Sequence, residues 1–259
     1  MNREEFFEKK REGCVSEEQY LIELLRSRGF LLEEVEGKYM VSDNSHAKDA
    51  EYLDTLLKKY NFGYVLNNEI TIFSNIKASL FEDEFRENIK IGSDPCRIDR
   101  EWRYFKSRRH GYKAEVEMLE PYIARYVKAV SACCVLTVGS CDGNHPEGRE
   151  MYIMTPIYGS APWHKLICKK CLLNKFDIHW INRYTGMRFT PETKYDTYYE
   201  VNRAAEFLYA NRKLIREIKN EAFVDIENSF LKAHSPEEIE KEFIGRASEL
   251  FDNVKFCWK

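Results

Sequence analysis

Tyr20, Leu21, Leu24 and Leu25, followed by Phe30, set apolar side chains one, three and four positions apart, the spacing of a helix with one buried stripe. The pattern returns as Tyr52, Leu53, Leu56 and Leu57, followed by Phe62. After each run comes a short alternating segment with a turn in its middle, Glu36-Gly37-Lys38 in the first and Asn67-Asn68-Glu69 in the second. Gly and Asn accept the positive φ of tight hairpins, so each copy is predicted as one helix plus one two-stranded hairpin. Neither copy can bury its apolar face alone, and the two are expected to share a core over about residues 14 to 76. Ser16, with Gln19 three residues on, predicts a capping box for the first helix.

Beyond this repeat the periodicity changes. Residues 77 to 100 carry charge without a clean period, and Gly92-Ser93-Asp94-Pro95 reads as a turn between units. Met118, Ile123, Val127 and Val130 lie near helical spacing, with Pro121 opening a new helix. The apolar run from Cys133 to Val138 is short and Val-containing, which predicts a buried strand. The last third is expected to be helical, with starts at Thr190-Pro191 and at Ser235-Pro236-Glu237-Glu238, the second a full capping box. Ala204, Leu208, Ile215 and Ile218, then Ile239, Phe243, Ala247 and Leu250, mark the buried faces. The expected class is α+β: a duplicated helix–hairpin domain over residues 1–92, a central mixed α/β unit over 93–190 and a helical C-terminal region over 191–259.

Composition narrows the function classes. A chain of 259 residues at 44% hydrophobic can bury a substantial core. Its formal charge of −3 sums many opposed charges, so no global basic field draws it to nucleic acid or an anionic membrane. Glu33, Glu34, Glu36, Asp49, Glu51 and Asp54 make the helix–hairpin part acidic, which argues for a partner-protein surface there rather than phosphate binding. No apolar run approaches the roughly 20 residues of a membrane span, and the first residues lack the apolar core of a secretory signal, so a cytoplasmic location is expected. Adjacent Cys133-Cys134 and the close pair Cys168/Cys171 fit reduced thiols or metal ligands better than a disulfide framework.

Candidate chemistry concentrates between Cys133 and Cys171. The segment Gly139-Ser140-Cys141-Asp142-Gly143-Asn144-His145 follows the predicted strand, so its polar side chains project from a rigid end. Cys141, Asp142 and His145 supply a thiol, a carboxylate and an imidazole as catalytic candidates, with Ser140 and Gly143 as binding positions. Cys141, His145, Cys168 and Cys171 have the residue types of a closed Cys3His zinc site, Cys168-Lys169-Lys170-Cys171 being spaced to share one ion. With Cys141 excluded, His145-Pro146-Glu147 and Cys168-x-x-Cys171 resemble the signature of zinc-dependent nucleobase deaminases, which would make Glu147 the proton shuttle, although Ile167 stands where that family has proline. Upstream, Arg103, Arg108 and Arg109 interleave with Trp102, Tyr104 and Phe105, as in segments that follow a phosphate backbone and stack bases. Trp163, His164, His179 and Trp180 are read either as pocket walls or as core.

A wider similarity runs over about residues 100 to 220. The order helix, strand, then Thr137-x-x-Ser140-Cys141-x-Gly143 resembles the Thr-Thr-Ser-Ser-Cys-Ser-Gly-Arg signature of the tRNA wybutosine-synthesis methyltransferases, and Tyr199-Glu200-Val201 through Asn211-Arg212-Lys213-Leu214-Ile215 is similar to that family's asparagine-containing closing helix. Gly139, Asp142 and Asn144 replace two serines and the arginine of the signature. The resemblance implies S-adenosylmethionine as cofactor and a tRNA guanine as substrate. The leading expectation is an intracellular nucleotide-, RNA- or partner-binding protein with a Ser-Cys-Asp-Gly loop site. The alternatives are a zinc-stabilised interaction or inhibitor protein of a phage or other mobile element, and the deaminase.

Overall fold

The computed structural model describes residues 1–86, 102–144, 150–156, 158–173, 175–178, 180–183, 186–189 and 193–257. Helix α1 (Arg3–Arg11) opens on a capping box between Asn2 and Glu5. Helix α2 (Glu17–Ser27) is capped by Ser16, whose hydroxyl accepts the Gln19 N–H at 3.2 Å. The expected box does not close: the Gln19 side-chain oxygen accepts the N–H of Val15 at 2.9 Å, one residue before the cap. Strands β1 (Leu32–Val35) and β2 (Lys38–Val41) follow, then helix α3 (Asp49–Lys59) and strands β3 (Gly63–Leu66) and β4 (Glu69–Ile72). Both turns place two residues at positive φ, Glu36 and Gly37 at 52° and 77°, Asn67 and Asn68 at 51° and 65°. This is the geometry whose twist matches the flanking strands. The two hairpins join through Tyr39 opposite Ile70, giving one antiparallel sheet in the order β1-β2-β4-β3. Leu21, Leu24, Leu25, Leu53 and Leu57 are buried beneath it with Phe30 and Phe62.

Helix α4 (Trp102–Ser107) is short, and α5 (Pro121–Ala132) begins at the proline that the sequence marked. Cys133 to Thr137 are buried as expected and Val138 is half-buried, yet the run is not a strand. Its backbone finds other partners: Val135 N–H donates to Val130, Leu136 N–H to the Ser160 hydroxyl, and the Trp163 indole to the Cys133 carbonyl. Cys134 also sits at φ 71°, which breaks any extended run. The Val138 N–H reaches the Met154 carbonyl at 2.9 Å, and the ladder follows with strand β5 (Gly139–Cys141) beside β6 (Met151–Met154). Helix α6 (Ser160–Ile167) runs into a π-helical turn at Cys168–Leu172, and β7 (Trp180–Arg183) and β8 (Gly186–Phe189) complete a second antiparallel sheet, order β5-β6-β8-β7.

The chain closes with α7 (Lys194–Ala210), α8 (Arg212–Ala222), α9 (Asn228–Ala233) and α10 (Pro236–Asp252). Thr193, not Thr190, caps α7, while Ser235 and Glu238 form the expected closed box on α10. The stretch similar to the methyltransferase closing helix is divided at Asn211, the last cap of α7 and the start of α8. The proposed turn at Gly92-Ser93-Asp94-Pro95 lies outside the described residues. The fold is α+β, with two small sheets among helices, and no described helix is long and apolar enough to cross a membrane.

One cluster of buried residues runs from Phe6 to Phe251, with α5 at its middle. All twelve residues of α5 are buried, two of them cations. Lys128, 1% exposed, donates to Asp49 of α3 and to the Ala114 carbonyl at 2.7 Å. Asp49 also accepts the N–H groups of Val116 and His46, both at 2.9 Å. Burial lowers the Lys128 pKa while Asp49 opposes that shift. One turn earlier, Arg125 meets Glu23 of α2 at 2.9 Å, and Lys10 of α1 reaches the same carboxylate oxygen at 2.8 Å. Burial pushes the Glu23 carboxyl up, but Arg125 and Lys10 together outweigh it and hold the group at about 2.

Removing one partner of a buried pair strands the other charge, which costs about 3–5 kcal/mol. Asp49→Ala is therefore expected to lower unfolding stability in urea by about that amount, and adding Lys128→Met to recover a measurable part of it. Because the Glu23 pKa is depressed on folding, its contribution is complete above the unfolded value near 4.5 and disappears as pH falls towards 2. Stability measured across that window should fall less steeply in Glu23→Gln than in the parent.

Candidate functional site

The Ser-Cys-Asp-Gly segment is built into the fold rather than projecting from it. Ser140 and Cys141 belong to β5, paired with Ile153 and Tyr152 of β6. Cys141 and Asp142 are each 3% exposed, so their side chains are buried where the sequence suggested that they project. The Asp142 carboxylate accepts the Tyr122 N–H at 3.3 Å and the Asn144 N–H at 2.7 Å. Tyr122 is the second residue of α5, so Asp142 caps that helix from a distant part of the chain, which suits an acid at the positive end of the helix dipole. Glu120, which precedes α5, accepts the Asp142 N–H in return. Gly143 turns the chain away at φ 73° and its N–H points at the Cys141 sulfur, 3.4 Å away. Burial, with Glu120 and Asp142 nearby, pushes the Cys141 thiol up to about 11 despite that N–H, so it is a neutral thiol at physiological pH. His145 and Glu147, on which the zinc and deaminase readings depend, lie outside the described residues.

Cys168 and Cys171 occupy the π-helical turn and are buried. The Cys168 sulfur lies 3.6 Å from the Tyr126 hydroxyl and 3.6 Å from the Met187 sulfur. The Tyr126 hydroxyl also lies 3.1 Å from Nε2 of His164, an imidazole that burial lowers to about 4 and so keeps neutral. Burial pushes the Cys168 thiol to about 12. Cys141 thus has Glu120 and Gly143 as neighbours, while Cys168 has Tyr126, His164 and Met187 around it. Among the described residues no three His, Cys, Asp or Glu side chains converge as a metal-binding group. Trp163 and His164 are core residues, at 0% and 1% exposure, and the side chains of His179 and Trp180 lie outside the described residues.

The basic and aromatic stretch is divided by the fold. Arg103, with Trp102, Tyr104, Lys106 and Ser107, lines one wall of a groove of about 850 Å³. Arg108 and Arg109 lie past the end of α4, where their carbonyls accept from Lys219 at 2.6 Å and from the Cys134 thiol at 3.1 Å. Asn228, Leu231, Lys232 and His234 from α9 and its C-terminal cap, with Pro236 and Ile239 of α10, make the facing wall. Helix α4 is seated firmly: Trp102 and Phe105 pack on Phe243 of α10 with ring centres 5.8 and 5.7 Å away. Gly159, at φ 72°, lets it approach α6, since a Cβ there would stand 2.3 Å from the Phe105 ring. The Lys106 ammonium donates to the Ile226 carbonyl, tying α4 to the segment before α9.

The groove lining contains Arg103, Lys106, Lys232 and His234 and, among the described residues, no carboxylate. The Arg103 guanidinium lies over the exposed Tyr104 ring at 5.0 Å, and the His234 ring stacks on Phe230 at 3.8 Å. Glu227 and Glu238 on the flanking segments accept from Ser229 and from the Ser235 backbone N–H, both within 3 Å. Sequence spacing pointed to Arg103 but missed Lys232 and His234, more than a hundred residues away in the chain. The signal available was the basic tripeptide Lys232-Ala233-His234 directly before a strong helix start. Comparison with protein-family models, with curated proteins and with solved structures finds no match to this chain.

The buried Cys141 thiol should resist alkylation. Iodoacetamide at pH 8 followed by peptide mass mapping is expected to modify exposed Cys257 and leave Cys141 unmodified until the protein is denatured. Rapid labelling of Cys141 in the native protein would show a solvated thiolate and restore it as a nucleophile.

Proposed function

We propose that the protein binds single-stranded nucleic acid, one of the nucleotide, RNA or protein partners expected from its sequence, through the groove between α4 and the α9–α10 segment. The observation that carries this reading is the lining as far as it is described: Arg103, Lys106, Lys232 and His234 border one concave surface with Tyr104 at its edge and, among the described residues, no carboxylate. Cations converging in a groove attract phosphates and release counterions, and an exposed ring beside them gives a base a stacking surface without regard to its identity. Double-stranded substrates fit less well, because α4 has only six residues and is held by Phe105 and Lys106 against the body of the protein. The Ser-Cys-Asp-Gly segment contributes here as scaffold, since Asp142 fixes the start of the central helix.

Fluorescence anisotropy of a labelled single-stranded RNA, titrated with protein at several salt concentrations, tests the reading. Saturable binding is expected at low salt, with log K falling linearly against log salt. The double variant Arg103→Glu, Lys232→Glu should weaken binding at least about tenfold and, by removing two phosphate contacts, lower the salt slope by about 1.4. Absence of binding at about 50 mM salt, or equal binding by parent and variant, would overturn it.

A further inference from the structure

A sheet edge leaves main-chain groups in need of partners, and the two edges of the N-terminal sheet, β3 and β1, are treated differently. At β3 the Val65 N–H donates to the Asp54 carboxylate of α3 at 2.9 Å, which closes that edge. At β1 nothing comparable is found among the described residues. The Ser42 N–H donates to the Leu31 carbonyl, so the alternation of an antiparallel ladder turns Leu31, Glu33 and Val35 towards β2 and leaves the main-chain groups of Leu32 and Glu34 on the free side. The Leu32 carbonyl meets only Arg26, at a long 3.4 Å, and exposed Glu34 has no partner on that side among the described residues. Beside this edge lies a cavity of about 410 Å³, bordered by Leu31, Leu32, Glu33 and Glu34 and by Ala205 and Tyr209 of α7. Arg26 lies over the Tyr39 ring at 5.9 Å, on the sheet face that carries Glu34, whereas Tyr209 and Arg212 hold Glu33 on the opposite face. The cavity that all of them line therefore runs along the unpaired side of the strand.

We infer that the free edge of β1 takes up an extended segment of a partner protein as a further antiparallel strand. Main-chain bonds to Leu32 and Glu34 hold the segment, and two charges select it. Glu34, one of the acids that mark this part of the chain as a partner surface, and Arg26 each lack an oppositely charged side chain within ion-pair distance among the described residues. Residues directly across a ladder share a face, so the segment presents a basic side chain opposite Glu34 and, two positions further on, an acidic one opposite Leu32, where Arg26 leaves the carbonyl to meet it. The antiparallel direction is that of every other pair in this sheet. With four residues in β1 the paired length is about 13 Å, so the segment recognised is a short one. This cavity shares no lining residue with the groove at α4, and the interaction is independent of nucleic-acid binding.

The test uses the full chain and a fluorescein-labelled heptapeptide, Thr-Val-Lys-Val-Glu-Val-Thr, followed by anisotropy. Saturable binding is expected, and exchanging the lysine with the glutamate should weaken it at least about tenfold. N-methylation of those two residues, whose amides face β1, should do the same, while N-methylation of the central valine, whose amide points away, should cost less than about threefold. Glu34→Pro removes the outward N–H without touching the ladder to β2, and should abolish binding with the circular dichroism spectrum unchanged. Should that variant fail to fold, Glu34→Lys is expected to reject this peptide and to accept one with glutamate in place of its lysine. No binding of the first peptide, or equal binding of its exchanged or doubly N-methylated forms, would overturn the inference. A protein that sediments as a dimer dissolved by Glu34→Pro would assign the edge to a second copy of the chain and overturn it equally.

Discussion

A helix buried on every side that nevertheless carries an arginine and a lysine can exist only if acids are brought to it, and much of this fold is organised around meeting that demand. Lys128 of α5 is answered by Asp49 at the start of α3, and Arg125 by Glu23 in the middle of α2. The two acids lie on α3 and α2, so the N-terminal helices and hairpins are docked to α5 by charge as well as by leucine. An unpaired ion in this interior would cost far more than its burial could return, which makes correct docking of both α2 and α3 a condition for burying α5 at all. Ser131 obeys the same rule through the Tyr112 carbonyl, and Tyr126 through His164.

The start of α5 imposes a further demand, and the central segment meets it. The Tyr122 N–H would lack a partner inside the protein, and Asp142 supplies one while Glu120 receives the Asp142 N–H in exchange. This crossed arrangement is a capping box made between distant parts of the chain. It explains why a carboxylate stands at the end of β5 and why the chain must turn at once through Gly143. The same geometry that holds Asp142 inside also holds the Cys141 thiol inside, next to two carboxylates that disfavour its ionisation.

Legibility followed the range of the interactions. The helix–hairpin pattern was readable because leucine spacing and the Glu36-Gly37 and Asn67-Asn68 turns act within a few residues, and Ser235 with Glu238 was readable for the same reason. The segment from Cys133 to Val138 was misread as a strand because apolar content reports burial, whereas pairing depends on which distant groups reach the backbone, here Ser160 and Trp163. Asp142 was singled out because a carboxylate beside a cysteine has the composition of a site, while its partners include the N–H of Tyr122, a main-chain group that no motif records. Arg103 was singled out in the sequence and Lys232 was not, since only folding places α9 opposite α4.

Net charge also misleads in a particular way. Three of the six acids that make the N-terminal part look repulsive to phosphates are engaged: Asp49 with Lys128, Asp54 with Lys58, and Glu33 with Arg212 and Tyr209. Glu33 illustrates the consequence, for burial would raise its pKa, yet the hydroxyls of Ser42 and Tyr209 and the Arg212 guanidinium lower it. A paired charge presents little field beyond its partner, and at physiological ionic strength a field is screened within about 8 Å. Arg103, Lys106, Lys232 and His234 stand at the walls of the groove, so a formal total of −3 for the chain is compatible with the proposed anion-attracting surface.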